Sequence, residues 1–308
     1  MKPQVRFVDV DADEAGQRLD NYLLRICKGV PKSHIYKAIR SGQVRVNKGR
    51  SAVTYRLQSG DVVRVPPMRM APQQAQTFAR PVHFPVVYED DGLLVIDKPA
   101  GVAVHGGSGV SSGVIEQLRA ARPDERFLEL VHRLDRDTSG VLMIAKRRRV
   151  LRVLHDMLRQ AQAKRYYQAL VVGDWVNDRQ HLRQPLLKWL TQHGERRVRV
   201  DRLGKPSHTI VTLLKRYGKV SRVQAELRTG RTHQIRVHLA AAGHPVLCDD
   251  KYGPDDVLQA YARRGYKRMF LHATALHLPH PLTGEPMVFE AALPPEFGQL
   301  MTELEKSE

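Results

Sequence analysis

The chain has 308 residues, enough for about two domains, and its 50 lysines and arginines outnumber its 32 aspartates and glutamates to give a net charge of +18. This excess favours a polyanionic partner such as a nucleic acid, although a basic surface that only serves solubility would give the same charge. Cys27 and Cys248 lie far apart, which argues against a thiolate zinc site. The sequence has neither an apolar leader nor a run of about 18 apolar residues, so we expect a cytoplasmic protein.

Residues 1–66 predict a small α+β domain with a basic surface. Apolar residues recur at helical spacing over 16–27, and Pro31 suits the first turn of a second helix that ends at Gly42. Two strands follow, at 43–47 and 62–65. The cations that accompany this pattern include Lys37, Arg40, Arg45 and Lys48. Such a domain could bind a nucleic acid, or it could only dock on the rest of the chain.

The remaining chain predicts a linker and one larger domain. Closely spaced prolines and glutamines over 67–85 indicate the linker. Beyond it, apolar runs of strand length are separated by turn residues, which indicates an α+β domain over 86–302 with a tail at 303–308. The predicted strands are 86–88, 93–97, 128–131, 141–145, 167–172, 209–214 and 223–227. Helices are predicted near 111–121 and 148–162, whereas 232–242 fits a helix and, over 234–239, also a strand.

Asp135 lies in a polar segment, His132–Gly140, between two apolar runs that read as buried strands. Arg133 and Arg136 flank it in the sequence, and cations of this kind keep a carboxylate ionised. A charged carboxylate on a short turn suits a nucleophile or a general base. The same residues would also fit an ordinary salt bridge at the end of a strand.

A second polar segment, Leu227–Leu239, alternates polar and apolar residues at its centre. On a strand, Arg236 and His238 would share one face and Ile235 would occupy the other. An arginine on an inward face needs an anion, and Asp135 is the natural partner for a bidentate pair.

Two other features have more than one interpretation. Tyr166 and Tyr167 enter a predicted strand, where a tyrosine either packs in the core or stacks on an extruded base. His233 and His238 suggest a metal site, but a spacing of five residues suits neither a helix face nor a strand face. We therefore expect no metal ion.

Several motifs carry a resemblance to a known family. The segments 132–140 (HRLDRDTSG), 230–239 (GRTHQIRVHL), 89–101 and 271–285 resemble the RluA-type family of RNA pseudouridine synthases. Arg18-Leu19-Asp20, the two helices and the strand at 43–47 resemble the S4 RNA-binding domain. The resemblance covers nearly the whole chain. It implies an α+β fold: a central mixed, mostly antiparallel sheet with a catalytic cleft, preceded by a small N-terminal α+β S4 domain.

The same resemblance implies roles for individual residues. Asp135 matches the essential aspartate and Arg236 the basic residue that pairs with it. Tyr167 matches the active-site tyrosine because Ala169 follows two residues later, with Tyr166 as the alternative. The residues expected to bind RNA or substrate are Arg133, His132, Ile235, Arg231, Lys37, Arg40, Arg45 and Lys48.

The activity implied is the isomerisation of specific uridines of 23S ribosomal RNA to pseudouridine, with the target base flipped out. Neither oxidation nor energy input is needed, so we expect no cofactor, and we expect a monomer. Asp135 would either attack C1′ or act as a base at the 2′ position through a glycal. Two alternatives stay open: a synthase for another RNA such as transfer RNA, and an RNA-binding assembly factor without catalysis.

Overall fold

The computed structural model describes residues 4–12, 14–27, 29–68, 79–106, 112–191 and 195–306. The chain divides into two compact units, Met1–Phe78 and Ala79–Glu308. Within the predicted linker, residues 69–78 lie outside the described part of the chain.

The first unit packs two helices against a small antiparallel sheet. Its elements are β1 (Arg6–Asp9), α1 (Leu19–Ile26), α2 (Lys32–Arg40), β2 (Arg45–Val46) and β3 (Val62–Val65), and the strand order is β1-β3-β2. Leu19, Leu23, Ile35 and Val63 are fully buried between the helices and the sheet. Both predicted helices and both predicted strands are confirmed. β1 was not predicted, because most of its residues are exposed and its apolar pattern is weak.

The second unit is built on a ten-stranded sheet. Its elements are β4 (Val86–Glu89), β5 (Leu93–Lys98), α3 (Val114–Ala121), β6 (Glu129–Leu130), β7 (Ser139–Ala145), α4 (Arg148–Arg159), β8 (Lys164–Val172), β9 (Arg179–Leu182), β10 (Leu186–Leu190), β11 (Arg196–Val200), β12 (Thr209–Tyr217), β13 (Val220–Leu227), α5 (Gln234–Ala241), α6 (Asp255–Arg263), β14 (Leu271–Pro279), β15 (Pro286–Glu290) and α7 (Pro295–Glu305). The main path runs β4-β5-β7-β14-β8-β13-β12-β9, while β6 pairs with β7 and β15 with β14. Strands β10 and β11 form a separate hairpin.

The sheet is mixed but mostly antiparallel. Among the described strands, β7 and β14 form the one parallel pair, at His272 beside Ser139 and Ala273 beside Gly140. Successive residues of a strand point to opposite faces. Leu94 and Ile96 of β5 therefore belong to a different core cluster from their neighbours Leu93 and Val95. Burial on both faces explains why these strands read as continuous apolar runs.

Two sequence predictions need correction. The segment 234–239 is helix α5 and not a strand. All six of its residues are buried, including Arg236, so the helix has no polar face to reveal its period. The chain also ends differently from the prediction, because α7 continues to Glu305 and Leu304 packs in the core. The predicted tail therefore begins inside a helix.

Candidate active site

A buried lysine holds the loop that carries Asp135 by hydrogen bonds to backbone carbonyls. Lys98, at the end of β5, has no exposed surface, and its Nζ donates to the carbonyls of Pro99 (2.7 Å), Val102 (2.8 Å) and Arg136 (3.0 Å). Burial lowers the pKa of Lys98 to about 7, an effect that the nearby Asp137 opposes. The third of these bonds ties the residue after Asp135 directly to the central sheet.

The end of the same motif is determined by packing. Gly140 has a φ of +108°, and a Cβ there would lie 2.2 Å from the carbonyl oxygen of Ala273, where β7 meets β14. Ser139 accepts a hydrogen bond from Arg268 (2.6 Å) and lies 2.7 Å from Nδ1 of His272. The Thr-Ser-Gly part of the motif therefore places the loop, and Asp135 is left facing the cleft.

A cleft brings together residues from both polar segments. It is lined by Arg133, Leu134, Asp135, Thr138, Tyr167, Leu227, Arg231, His233, Gln234, Ile235, Arg236 and Leu271. Six residues predicted from the sequence are in this set: Arg133, Asp135, Tyr167, Arg231, Ile235 and Arg236. Apolar walls beside a carboxylate and three arginines suit a flat, polar-edged base attached to a phosphate backbone.

Arg236 contacts Asp135 but is bound more closely elsewhere. Its Nη1 lies 3.5 Å from Oδ2 of Asp135, whereas its Nε and Nη2 donate to Asp249 at 2.7 and 2.6 Å. The predicted bidentate pair with Asp135 is therefore wrong, and Asp249 holds that position. Burial opposes the charge of Arg236, but the hydrogen-bonded Asp249 outweighs it and the pKa of Arg236 is raised. A fully buried carboxylate needs such a partner, which explains why Asp249 takes both donors.

His233 faces the other oxygen of the same carboxylate. Its Nε2 lies 3.9 Å from Oδ1 of Asp135, and its Nδ1 lies 2.7 Å from the hydroxyl of Tyr252. Burial lowers the pKa of His233, and the charge of Asp135 opposes that shift. Asp249 and Tyr252 were not predicted from the sequence, and His233 was considered only as a metal ligand. The available signal was a polar run, Asp249–Tyr252, directly after the apolar residues 246–248.

The two tyrosines point to opposite faces of β8. Tyr167 is 6 % exposed and lines the cleft. Tyr166 packs its ring edge-on against His277, 5.0 Å between centroids. Burial raises the pKa of Tyr167, and the neighbouring Arg165 opposes the increase. The geometry thus favours Tyr167 as the active-site tyrosine.

His132 and Arg136, which also belong to the motif, are not among the residues that line the cleft. The Nε2 of His132 accepts a hydrogen bond from the backbone N–H of Met143 (3.1 Å). Burial lowers the pKa of His132 to about 3, so its ring is neutral. This hydrogen bond joins the loop to β7, and the binding of RNA or substrate by His132 stays a prediction. Arg136 is exposed and pairs with Asp137 at 3.1 Å.

In the first unit, the predicted cations lie on α2 and around β2. Lys37 and Arg40 line a shallow hollow on α2 together with Tyr36. Arg45 donates to the carbonyl oxygens of Gly42 and Lys48, both at 3.3 Å. These bonds hold the turn after β2, where Lys48 has a φ of 68° and an exposed side chain.

The described residues contain no group of three or more His, Cys, Asp or Glu side chains that could hold a metal ion. Within the same residues, no helix is long and apolar enough to cross a bilayer.

Comparisons with known proteins match both units. The sequence profile of the S4 domain matches residues 17–63, and that of RNA pseudouridylate synthase matches residues 92–241. Three bacterial proteins named ribosomal large subunit pseudouridine synthase C are similar over nearly the full length. The Yersinia pestis protein is 51% identical (99% of this chain, 97% of its own), the Escherichia coli K12 protein 51% (94% and 94%) and the Pasteurella multocida protein 49% (96% and 93%).

Solved structures support the fold of the larger unit. Human RNA pseudouridylate synthase domain containing 4 superimposes with a TM-score of 0.60 at 24% identity, over 72% of this chain and 93% of its own. Human RNA pseudouridylate synthase domain containing 1 gives 0.56 at 25%, over 72% and 95%. Together with the sheet order, these similarities confirm the predicted fold class.

Proposed function

The chain belongs to the RNA pseudouridylate synthase family, and on that premise we propose that it isomerises specific uridines of 23S ribosomal RNA to pseudouridine. The observation that carries the proposal is the cleft in which Asp135, Tyr167 and Arg236 meet. The names of the bacterial relatives support ribosomal RNA of the large subunit as the substrate. We also propose that the enzyme acts as a monomer in the cytoplasm, where that RNA is made.

The reaction exchanges one bond for another within a single nucleotide. The C1′–N1 bond breaks, the uracil turns, a C5–C1′ bond forms, and the proton on C5 is replaced by one on N1. Asp135 supports this sequence in one of two ways. Its carboxylate attacks C1′ and expels the uracil anion, or it removes the 2′ proton so that a glycal forms. In both routes Asp135 is regenerated when C5 bonds to C1′.

The other cleft residues have separate roles. The charge of Arg236 stabilises the Asp135 carboxylate without holding both its oxygens, so lone pairs remain available for the ribose. Tyr167 stacks on the flipped uracil or assists the loss of the C5 proton. Arg133 and Arg231, at the cleft, contact the RNA backbone.

Extraction of the base needs binding energy from outside the cleft. Unstacking one nucleotide costs about a few kcal/mol, and phosphate neutralisation by a chain of net charge +18 offsets that cost. Lys37, Arg40, Arg45 and Lys48 of the first unit supply part of it through contacts with RNA phosphates.

The test is release of tritium from RNA labelled at uracil C5. We expect release from a 23S rRNA transcript, and we expect specific pseudouridines to disappear from the rRNA of a strain that lacks the protein. Release from transfer RNA alone would contradict the proposed substrate. Binding of 23S rRNA without release from any RNA would support the assembly-factor alternative instead.

A further inference from the structure

The hydroxyl of Tyr252 links His233, directly before α5, to the β10–β11 hairpin. Its oxygen accepts a hydrogen bond from the backbone N–H of Val198 in β11 (3.1 Å) and lies 2.7 Å from Nδ1 of His233. The rings of Tyr252 and His233 pack edge-on, with centroids 5.6 Å apart. One side of the His233 imidazole is therefore held by the Tyr252 hydroxyl, which can both accept and donate hydrogen bonds.

These contacts favour one tautomer of His233. The Tyr252 oxygen accepts the N–H of Val198, and its own proton is available to Nδ1 of His233 when that nitrogen is unprotonated. In this tautomer Nε2 carries the hydrogen and faces Oδ1 of Asp135, 3.9 Å away. An Nε2 lone pair in that position would instead be repelled by the negative charge of the Asp135 carboxylate.

The surroundings of the ring favour its neutral form. The His233 side chain is 14 % exposed, and Arg236 and Lys251 oppose a further positive charge, whereas Asp135 and Asp249 favour one. Burial is the largest of these effects and lowers the pKa of His233. A neutral imidazole donates one hydrogen bond here without placing a second cation beside Arg236.

The backbone of His233 also indicates a specific placement. Its φ is 51°, in the left-handed region, directly before α5. A side chain other than glycine is held there at a cost, and such residues cluster at active sites. Asp135 thus has Arg236 at one oxygen and His233 at the other, each beyond ideal hydrogen-bond distance. Catalytic hydrogen bonds of this length shorten when substrate closes the site.

We propose that His233 is a positioning residue for Asp135: Tyr252 holds it as the neutral Nε2–H tautomer, and it donates to Asp135 Oδ1 when RNA fills the cleft. The role rests on the proposed function, because it presupposes that Asp135 reacts with a uridine. The two donors leave the outer lone pairs of the carboxylate directed at the ribose and prevent rotation away from C1′.

The tautomer is read first, without any assay of activity. In protein labelled with ¹⁵N-histidine, we expect the His233 signals, assigned by their loss in His233→Gln, to show a protonated Nε2 and an unprotonated Nδ1. Tyr252→Phe removes the hydroxyl proton and should give a mixture of tautomers. A protonated Nδ1 in the wild-type protein would overturn the proposal, whatever the protein catalyses.

Kinetics then test the positioning role. His233→Ala should lower kcat about tenfold to a hundredfold, the loss expected from one hydrogen bond to a charged group, with little change in KM. His233→Gln keeps an N–H near the position of Nε2 and should recover most of the rate. Tyr252→Phe should lose part of the rate, whereas Tyr266→Phe, which removes a buried hydroxyl bonded to Glu303, should lose none.

The outcomes separate this role from the proposed function. If wild-type protein releases no tritium from any RNA, the function fails while the tautomer remains measurable. If wild-type protein is active and His233→Ala keeps its kcat, the positioning role is refuted. If His233→Ala does not fold, the comparison of His233→Gln and Tyr252→Phe with Tyr266→Phe still decides.

Discussion

At the scale of single residues, two aspartates that are only two positions apart have different surroundings. Asp135 faces Arg236 and His233, whereas Asp137 pairs with the exposed Arg136. We predict that Asp135→Asn lowers isomerisation by at least ~10³-fold, because an amide can neither attack C1′ nor remove a proton. RNA affinity should change little. Tritium release and RNA binding, measured in parallel with Asp137→Asn as the control, check this, and turnover near the wild-type level would exclude Asp135 as the reacting group.

We expect Arg236 to contribute to both stability and reactivity, and a pair of variants separates the two contributions. Arg236→Met leaves Asp249 buried without its partner and should lower the free energy of unfolding by about 3–5 kcal/mol. Adding Asp249→Leu replaces the pair by apolar groups and should restore part of that stability, because the backbone N–H groups of Lys251 and Tyr252 lose the acceptor that Asp249 provides. Activity should stay low in both variants, with RNA affinity nearly unchanged. Recovery of activity together with stability in the double variant would show that Arg236 acts only through the fold.

The buried Lys98 should make the free energy of unfolding depend on pH. Its pKa is lowered to about 7 in the folded protein from an ordinary value of 10.5, so the unfolded chain binds more protons between these values. The free energy of unfolding of wild type relative to Lys98→Met should therefore rise with pH across that window, by up to about 1.4 kcal/mol per unit. Denaturant unfolding at several pH values measures it. A difference that is flat or falls with pH would show that Lys98 keeps its ordinary pKa.

At the scale of elements, burial decides what could be predicted. The strands at 93–97 and 141–145 are continuous apolar runs bounded by turn residues, and the structure has them within two residues of the prediction. Helix α5 gave conflicting patterns because it is buried on all sides. The β10–β11 hairpin was missed because lysine, arginine and exposed apolar residues interrupt its alternation. The sequence pattern therefore identifies an element when its buried faces carry apolar residues without interruption.

The basic surface of α2 makes a prediction about RNA affinity. In the full chain, Lys37→Gln with Arg40→Gln should weaken binding to 23S rRNA and make the plot of log affinity against log salt shallower by about one per lost phosphate contact. Arg216→Gln is the matched control, because Arg216 is exposed and paired with Asp174 in the other unit. Filter binding at several salt concentrations measures both. An unchanged slope in the double variant would remove α2 from the RNA-binding surface.

At the scale of the whole molecule, the sequence predicted the candidate reacting residues but not their arrangement. Asp135 and Arg236 are separated by 101 positions, and the sheet order β7-β14-β8-β13 brings the loop before β7 close to α5, which follows β13. The chemistry of the two motifs selected both residues and paired them, and the resemblance implied the same pair. The bidentate role of Asp249 depends on which buried carboxylate lies nearer to the guanidinium, and residue spacing carries no information on that distance.

Because of the net charge of +18, salt should affect kcat/KM and kcat differently. Counterions are released when RNA phosphates are neutralised, so salt opposes binding and leaves chemistry in the closed cleft nearly unaffected. We predict that kcat/KM falls by orders of magnitude between about 50 and 200 mM salt, whereas kcat at saturating RNA changes little. Tritium release over a range of RNA and salt concentrations measures both constants. A kcat that fell as steeply as kcat/KM would show that the charges act on the chemical step itself, as expected if salt disrupts the contacts around Asp135.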